Sequence, residues 1–207
     1  MPRPSTPTTS VDVYLAGPFF KPHEEAFMDL MERLADDLGL VVFSPRRGDN
    51  SVRMNEVLAV RRAWLKDRGY QPRQEINPAD LAELDALHPV DTRAVFDDNV
   101  GYIETCRLLV AFTDDFDPGT MFEMGAAYAH DIPVITVTSK GYGTNLMLVH
   151  SIVAHCRGID DLAEALTIAR PLIDAPDDTE ATSEAIARLQ ARFLGTQQGI
   201  EDEGKLR

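Results

Sequence analysis

The chain has 207 residues, 44% of them hydrophobic, enough to bury about 70% of the unfolded surface in one core, so a single compact domain is expected. Acidic residues outnumber basic ones 34 to 20, and the resulting charge of −14 repels phosphate backbones and anionic headgroups, which excludes nucleic acid and membrane surfaces as expected partners. No apolar run approaches the ~20 residues of a membrane span, and MPRPSTPTTS has no hydrophobic stretch behind Arg3, so neither an anchor nor a secretory signal is read. The two cysteines, Cys106 and Cys156, are too few for a disulfide scaffold and fit a reducing cytoplasm.

Residues 1–10 are Pro, Ser and Thr in low-complexity order and read as a tail outside the fold. The run VDVYLAG at 11–17 is the first predicted strand, and a helix follows over 23–37 with Phe27, Leu30, Met31 and Leu34 at helical spacing. LVVFSP at 40–45 is the second strand. Residues 49–94 exceed what a strand-to-helix connection needs and hold two helices, 53–67 and 79–87, the latter opened by Asn77-Pro78. This region reads as an insertion over the sheet's edge, with Arg61-Arg62 on a solvated face. A short helix behind Phe96 leads into the strand RLLVAFTDD at 107–115, and IPVITVTS at 132–139 and SIVAHC at 151–156 supply two more. Helices are expected over 160–173, through Leu162, Leu166 and Ile168, and over 180–194, through Ile186, Leu189 and Phe193. The domain is bounded at 11–195, and the polar residues 196–207 read as a second tail. Strands that alternate with helices and are continuously apolar imply a parallel sheet covered on both faces, a doubly wound three-layer α/β/α sandwich.

Ligands of such sheets bind outside the carboxyl ends of the strands, where three segments stand out. Tyr14-Leu-Ala-Gly17-Pro-Phe-Phe20 ends the first strand in a turn with two aromatics, and a turn with core aromatics is its structural reading. It contains neither Gly-x-Gly-x-x-Gly nor Gly-Lys-Ser/Thr, so dinucleotide and P-loop readings lack support. In Asp117-Pro-Gly119-Thr120-Met-Phe-Glu123-Met-Gly125, a carboxylate lies in an otherwise apolar helix opening. Thr120-x-x-Glu123 reads as a capping box. The functional alternative is a nucleophile: Gly119, Gly125, Ala126 and Ala127 leave space beside Glu123, and the helix dipole favours its ionised form. Asp117 would rim the same cavity. In Phe96-Asp97-Asp98-Asn99-Val-Gly-Tyr-Ile103, two acids and an amide read as helix capping. His150, His155 and Cys156 lack metal-ligand spacing, so no metal is expected. No Gly-x-Ser-x-Gly elbow is present.

Taken in order, Tyr14-Leu-Ala-Gly-Pro-Phe-Phe, Asn99-x-x-x-Ile103, Asp117-Pro-Gly-Thr-x-x-Glu123-x-Gly and Asn145-Leu-Met147 resemble the nucleoside 2-deoxyribosyltransferase family over about residues 11–155. The resemblance implies a flavodoxin-like fold, no cofactor, and 2′-deoxynucleoside and free nucleobase as substrates. It makes Glu123 the nucleophile at the anomeric carbon, Tyr14 the residue that holds it, and Asp117 the ligand of the sugar hydroxyls. Gly17, Phe20 and Gly119 would shape the sugar pocket. Asn145 and Met147 would reach a neighbouring subunit's pocket, which implies a homo-oligomer with a shared active site. One familiar form of the family has aspartate where this chain has Asn99. Base protonation therefore stays open, with Asn99 hydrogen-bonding the base or Asp98 taking the acid role. A hydrolase of deoxynucleosides or their 5′-monophosphates and a non-catalytic nucleotide sensor are the competing readings. FMN binding lacks a Ser/Thr-rich phosphate cradle.

Overall fold

The computed structural model describes residues 10–71, 74–140 and 146–194. Five strands, β1 (Val13–Ala16), β2 (Val42–Phe43), β3 (Leu108–Phe112), β4 (Val134–Thr138) and β5 (Ala154–Arg157), form one sheet of order β2-β1-β3-β4-β5. Every pairing is parallel, with Val13 opposite both Val42 and Leu108. The expected doubly wound, flavodoxin-like three-layer α/β architecture is present.

Alternate strand residues feed two separate cores. Val13, Leu15, Val110, Phe112, Ile135 and Val137 pack against α1 (Pro22–Asp37), α7 (Ile159–Ile168), α8 (Arg170–Asp174) and α9 (Thr179–Phe193). Tyr14, Ala16, Leu109, Ala111 and Val134 face α4 (Thr92–Thr105) and α5 (Pro118–Ala129), meeting Ile103, Met124 and Ala127. The two-residue period of a strand supplies both sets from one continuous apolar run. A short helix α6 (Leu146–Val149) precedes β5.

Several local expectations change. The helix read over 160–173 is two helices, because Pro171 has no N–H for the ladder and its ring crowds the preceding turn. The insertion consists of α2 (Asp49–Asp67) and α3 (Pro78–Leu87), and α2 starts four residues earlier than expected, directly after Gly48. Arg61 is not a solvated residue: its side chain is 16% exposed and ties α2 to α3 through Asp85 and the His88 carbonyl. The short helix behind Phe96 begins earlier, at Thr92, capped by Asp91 on the Ala94 amide at 2.9 Å. Asp97, Asp98 and Asn99 therefore lie inside α4 and do not cap it. Among the described residues no helix is long and apolar enough to cross a membrane.

Candidate active site

The chain leaves β1 for β2 on one side and meets β3 on the other, so the carboxyl ends of β1 and β3 border the crevice where ligands of such sheets bind. Tyr14 lies in β1, wholly buried, and its ring packs 5.4 Å from that of Phe43. Its hydroxyl crosses to α5 and donates to Glu123 Oε1 at 2.6 Å. Burial and the Glu123 charge raise the Tyr14 pKa well above its ordinary value, so the hydroxyl keeps its proton as a donor.

The α5 cap is Asp117, not Thr120. Asp117 Oδ2 accepts from the Thr120 amide at 2.9 Å and from the Thr120 hydroxyl at 3.2 Å, and Pro118 occupies the first helical position. Glu123 is thereby freed from a capping box and sits in the second turn, directed at Tyr14. A side chain at Gly119 would place its Cβ 2.9 Å from Asp117 Oδ2, so it would push against the capping oxygen. Gly125, on the same helix, faces open space. Burial pushes the Glu123 carboxyl up to about 7; the Tyr14 hydrogen bond opposes the rise and the Asp117 charge adds to it. Desolvation thus outweighs the Tyr14 hydrogen bond, and the carboxylate expected to be ionised has its pKa raised instead.

The other site candidates divide. Asp98 Oδ2 accepts from Asn50 Nδ2 at 2.7 Å, which joins α4 to the first turn of the insertion helix α2. Asn99 leaves its Oδ1 buried without a hydrogen-bond partner. One helical turn on, Tyr102 stacks on Phe43 with centroids 3.9 Å apart, and Phe43 in turn packs against Tyr14. Sequence reasoning passed over Phe43, Tyr102 and Asn50; their only signal was position near a strand end or beside the acidic segment. Gly17 belongs to the opposite face: an added Cβ would lie 2.7 Å from Met28 Sδ and 3.1 Å from Phe112 Cβ. Phe20 is 74% exposed and rests on Phe19, and Met147 is 76% exposed on α6. Asn145 lies outside the described residues.

Among the described residues, His23, Glu24 and Asp115 bring ligating atoms within 4.8 Å of one another. The Lys21 ammonium already supplies the cation there, 2.9 Å from Glu24 and 2.7 Å from Asp115.

The sequence model of the family described as nucleoside 2-deoxyribosyltransferase matches residues 13–152, which includes β1, the Asn99 segment, the Tyr14–Glu123 pair and α6. The chain belongs to this family. Nucleoside 2-deoxyribosyltransferases are glycosyltransferase-type enzymes that process nucleosides. Similar solved structures include a 2-deoxyribosyltransferase from the psychrotolerant bacterium Bacillus psychrosaccharolyticus, 25% identical, covering 73% of this chain and 90% of that one at a TM-score of 0.49. A conserved protein from Enterococcus faecalis V583 is 19% identical, with 75% of this chain and 96% of that one covered at a TM-score of 0.44. No curated protein matches the chain.

Proposed function

We propose that the protein exchanges the base of 2′-deoxynucleosides through a covalent deoxyribosyl-Glu123 intermediate. The observation that carries this reading is the 2.6 Å bond from the buried Tyr14 hydroxyl to Glu123, formed between two of the motifs that mark the family. Glu123 attacks the anomeric carbon as the carbon–nitrogen bond breaks; the base leaves with the bonding electrons and takes up a proton. A second base then attacks the same carbon, gives up an N–H proton that balances the one taken up by the first, and displaces the carboxylate, so two inversions give net retention. Tyr14 fixes which carboxylate oxygen stays hydrogen-bonded and leaves the other for attack. Asp117 retains Oδ1 for the sugar hydroxyls while Oδ2 serves the cap. The unpartnered Asn99 carbonyl is suited to an N–H of the base, which gives Asn99 a binding role and no proton to donate. Asp98 is the nearest acid in sequence, and one of its oxygens, Oδ2, is already taken by the Asn50 side chain.

The test is incubation with a deoxynucleoside, with and without a second free base, followed by chromatography and intact mass. Base exchange and a deoxyribosyl adduct absent from Glu123→Ala support the transferase. Free base without exchange supports the hydrolase, and silence across many bases favours the sensor. The proposal includes a homo-oligomer in which Asn145 and Met147 complete a neighbour's pocket. Mixed Glu123→Ala and Asn145→Ala subunits then regain activity, and no rescue after confirmed subunit exchange removes the shared site.

A further inference from the structure

The loops that follow β1, β3 and β4 converge on one carboxylate. Asp115, in the loop after β3, accepts from Lys21 Nζ on Oδ2 at 2.7 Å and from Lys140 Nζ on Oδ1 at 2.8 Å. Lys21 belongs to the loop after β1, and Lys140 to the loop after β4. These three strands are adjacent in the sheet, so their loops are neighbours, and each oxygen of Asp115 holds one of them.

Both partners are anchored in turn. Glu24, buried in the first turn of α1, accepts from the Phe20 amide at 2.9 Å and the Lys21 amide at 3.0 Å, and pairs with Lys21 Nζ at 2.9 Å. Lys140 is held through its backbone. The buried Asp114 carboxylate accepts from the Thr138 hydroxyl, the Ser139 amide and hydroxyl, and the Lys140 amide at 3.3 Å. Burial alone would raise the Asp114 carboxyl; the bonds from Ser139 and Thr138 outweigh it and hold the group below its ordinary range.

Two residues past Asp115, Asp117 caps the helix that carries Glu123. Phe116 between them has φ of 48°, a left-handed conformation that a non-glycine residue keeps where its neighbours are fixed on both sides. The fixed points are Asp115 on its lysines and Asp117 on α5.

We propose that Asp115 is a positioning residue: its paired contacts with Lys21 and Lys140 draw the loops after β1, β3 and β4 together at the rim of the sugar pocket and set substrate affinity. The inference rests on the reading of this pocket as a deoxynucleoside site. Asp115 keeps 30% of its side chain exposed, so its ion pairs add little to stability and are open to screening by salt. A neutral substrate makes this measurable. Salt has no charge on a deoxynucleoside to screen, so a salt-dependent KM reports on the protein.

The experiment measures base exchange from an uncharged deoxynucleoside at about 0.05 and 0.5 M NaCl, where screening shortens several-fold in range, for the wild-type chain, Asp115→Asn, Lys140→Met and Asp115→Glu. Thermal midpoints are taken alongside. At low salt Asp115→Asn should raise KM about 3- to 10-fold, the equivalent of one or two exposed ion pairs, with kcat within about 2-fold and the midpoint within a few degrees of wild type. Its KM should be flat with salt, while the wild-type KM climbs towards it. Lys140→Met should give part of the effect, and Asp115→Glu, which keeps the charge, part of the rescue. Equal salt slopes in wild type and Asp115→Asn, a loss confined to kcat, or a fall in midpoint in step with KM overturns the positioning role. Should the wild type bind a deoxynucleoside by calorimetry without turning it over, the functional reading fails alone and the same comparison is made on Kd. Turnover with a wild-type-like Asp115→Asn removes the positioning role alone, and absence of both binding and turnover removes the two together.

Discussion

The two faces of the sheet are built from the same strands and do different work. On the α1, α7 and α9 face, Leu15, Val110 and Phe112 meet Phe27, Met28, Leu162 and Leu189, and the Phe27 and Phe112 rings stack 4.4 Å apart. On the α4 and α5 face, the neighbouring strand residues include Tyr14, Ala16 and Ala111, and the layer takes in the Tyr14–Glu123 bond and an unpartnered Asn99 oxygen. The first face gains stability from close-packed apolar surface. The second accepts a desolvated carboxylate, at a cost visible in the rise of Glu123 to about 7. Small residues on the strands make room for polar groups, and the opposite face supplies the stability that lets them remain there.

Matched truncations on the two faces have the largest effects. Met28→Ala should destabilise by about 2–5 kcal/mol, lowering the thermal midpoint by roughly 5–15 °C, with kcat of the folded enzyme unchanged. Glu123→Ala should lower turnover by roughly 10⁴-fold or more while leaving the midpoint within a few degrees. Turnover surviving in Glu123→Ala, or lost in folded Met28→Ala, breaks the division of labour between the faces.

The electrostatics of the second face give the next effect. The Tyr14 bond favours ionised Glu123, so Tyr14→Phe should move the carboxyl further above 7. The rise of kcat/KM with pH should then shift up by about one unit, with activity at neutral pH falling about 10-fold. A pH–rate profile that does not move separates Tyr14 from Glu123 ionisation.

Stability should respond in the same window. A folded pKa raised from 4.5 to about 7 means that the protonated form fits the fold better; this contribution is full below about 4.5 and is lost as pH rises through 7. Glu123→Gln cannot ionise, so relative to wild type it should gain up to about 3 kcal/mol at pH 8 and little at pH 4. Thermal melts at both pH values check this, and an equal difference at the two pH values contradicts a desolvated Glu123.

The Tyr14–Glu123 bond also bears on sugar discrimination. A ribose 2′-hydroxyl beside Tyr14 and Glu123 competes for their hydrogen bond and lacks a partner of its own, a mismatch worth about 1–3 kcal/mol, or about 10- to 100-fold in kcat/KM. Competition assays with paired ribo- and deoxyribonucleosides measure the ratio, and a ratio near one removes this pocket geometry.

The strands were legible because continuous apolar runs such as VYLA and LLVAF are buried on both sides, and VITVT buries even its threonines. Glu123 was legible as the lone acid in an apolar helix opening, and Tyr14 through the motif around it. The capping of α5 was misread because Asp117 and Thr120 are both good N-caps; Pro118 favours the earlier start. The Asp98 and Asn99 segment was misread as a helix beginning because the local pattern does not show that Asp91 had already started α4.

The amino-acid sequence by itself determined the parallel α/β class, the order of elements and the family, since hydrophobic periodicity and local motifs depend on residues near one another in the chain. Only the tertiary structure decided which face each motif serves. Gly17 turns to Met28 and Phe112 while Tyr14, three residues earlier, turns to Glu123, 109 positions away. The meeting of Lys21, Asp115 and Lys140, and the desolvation that moves Glu123, likewise come from loops and helices brought together by strand order. Burial and long-range contact are properties of the assembled layers, and no window of sequence contains them.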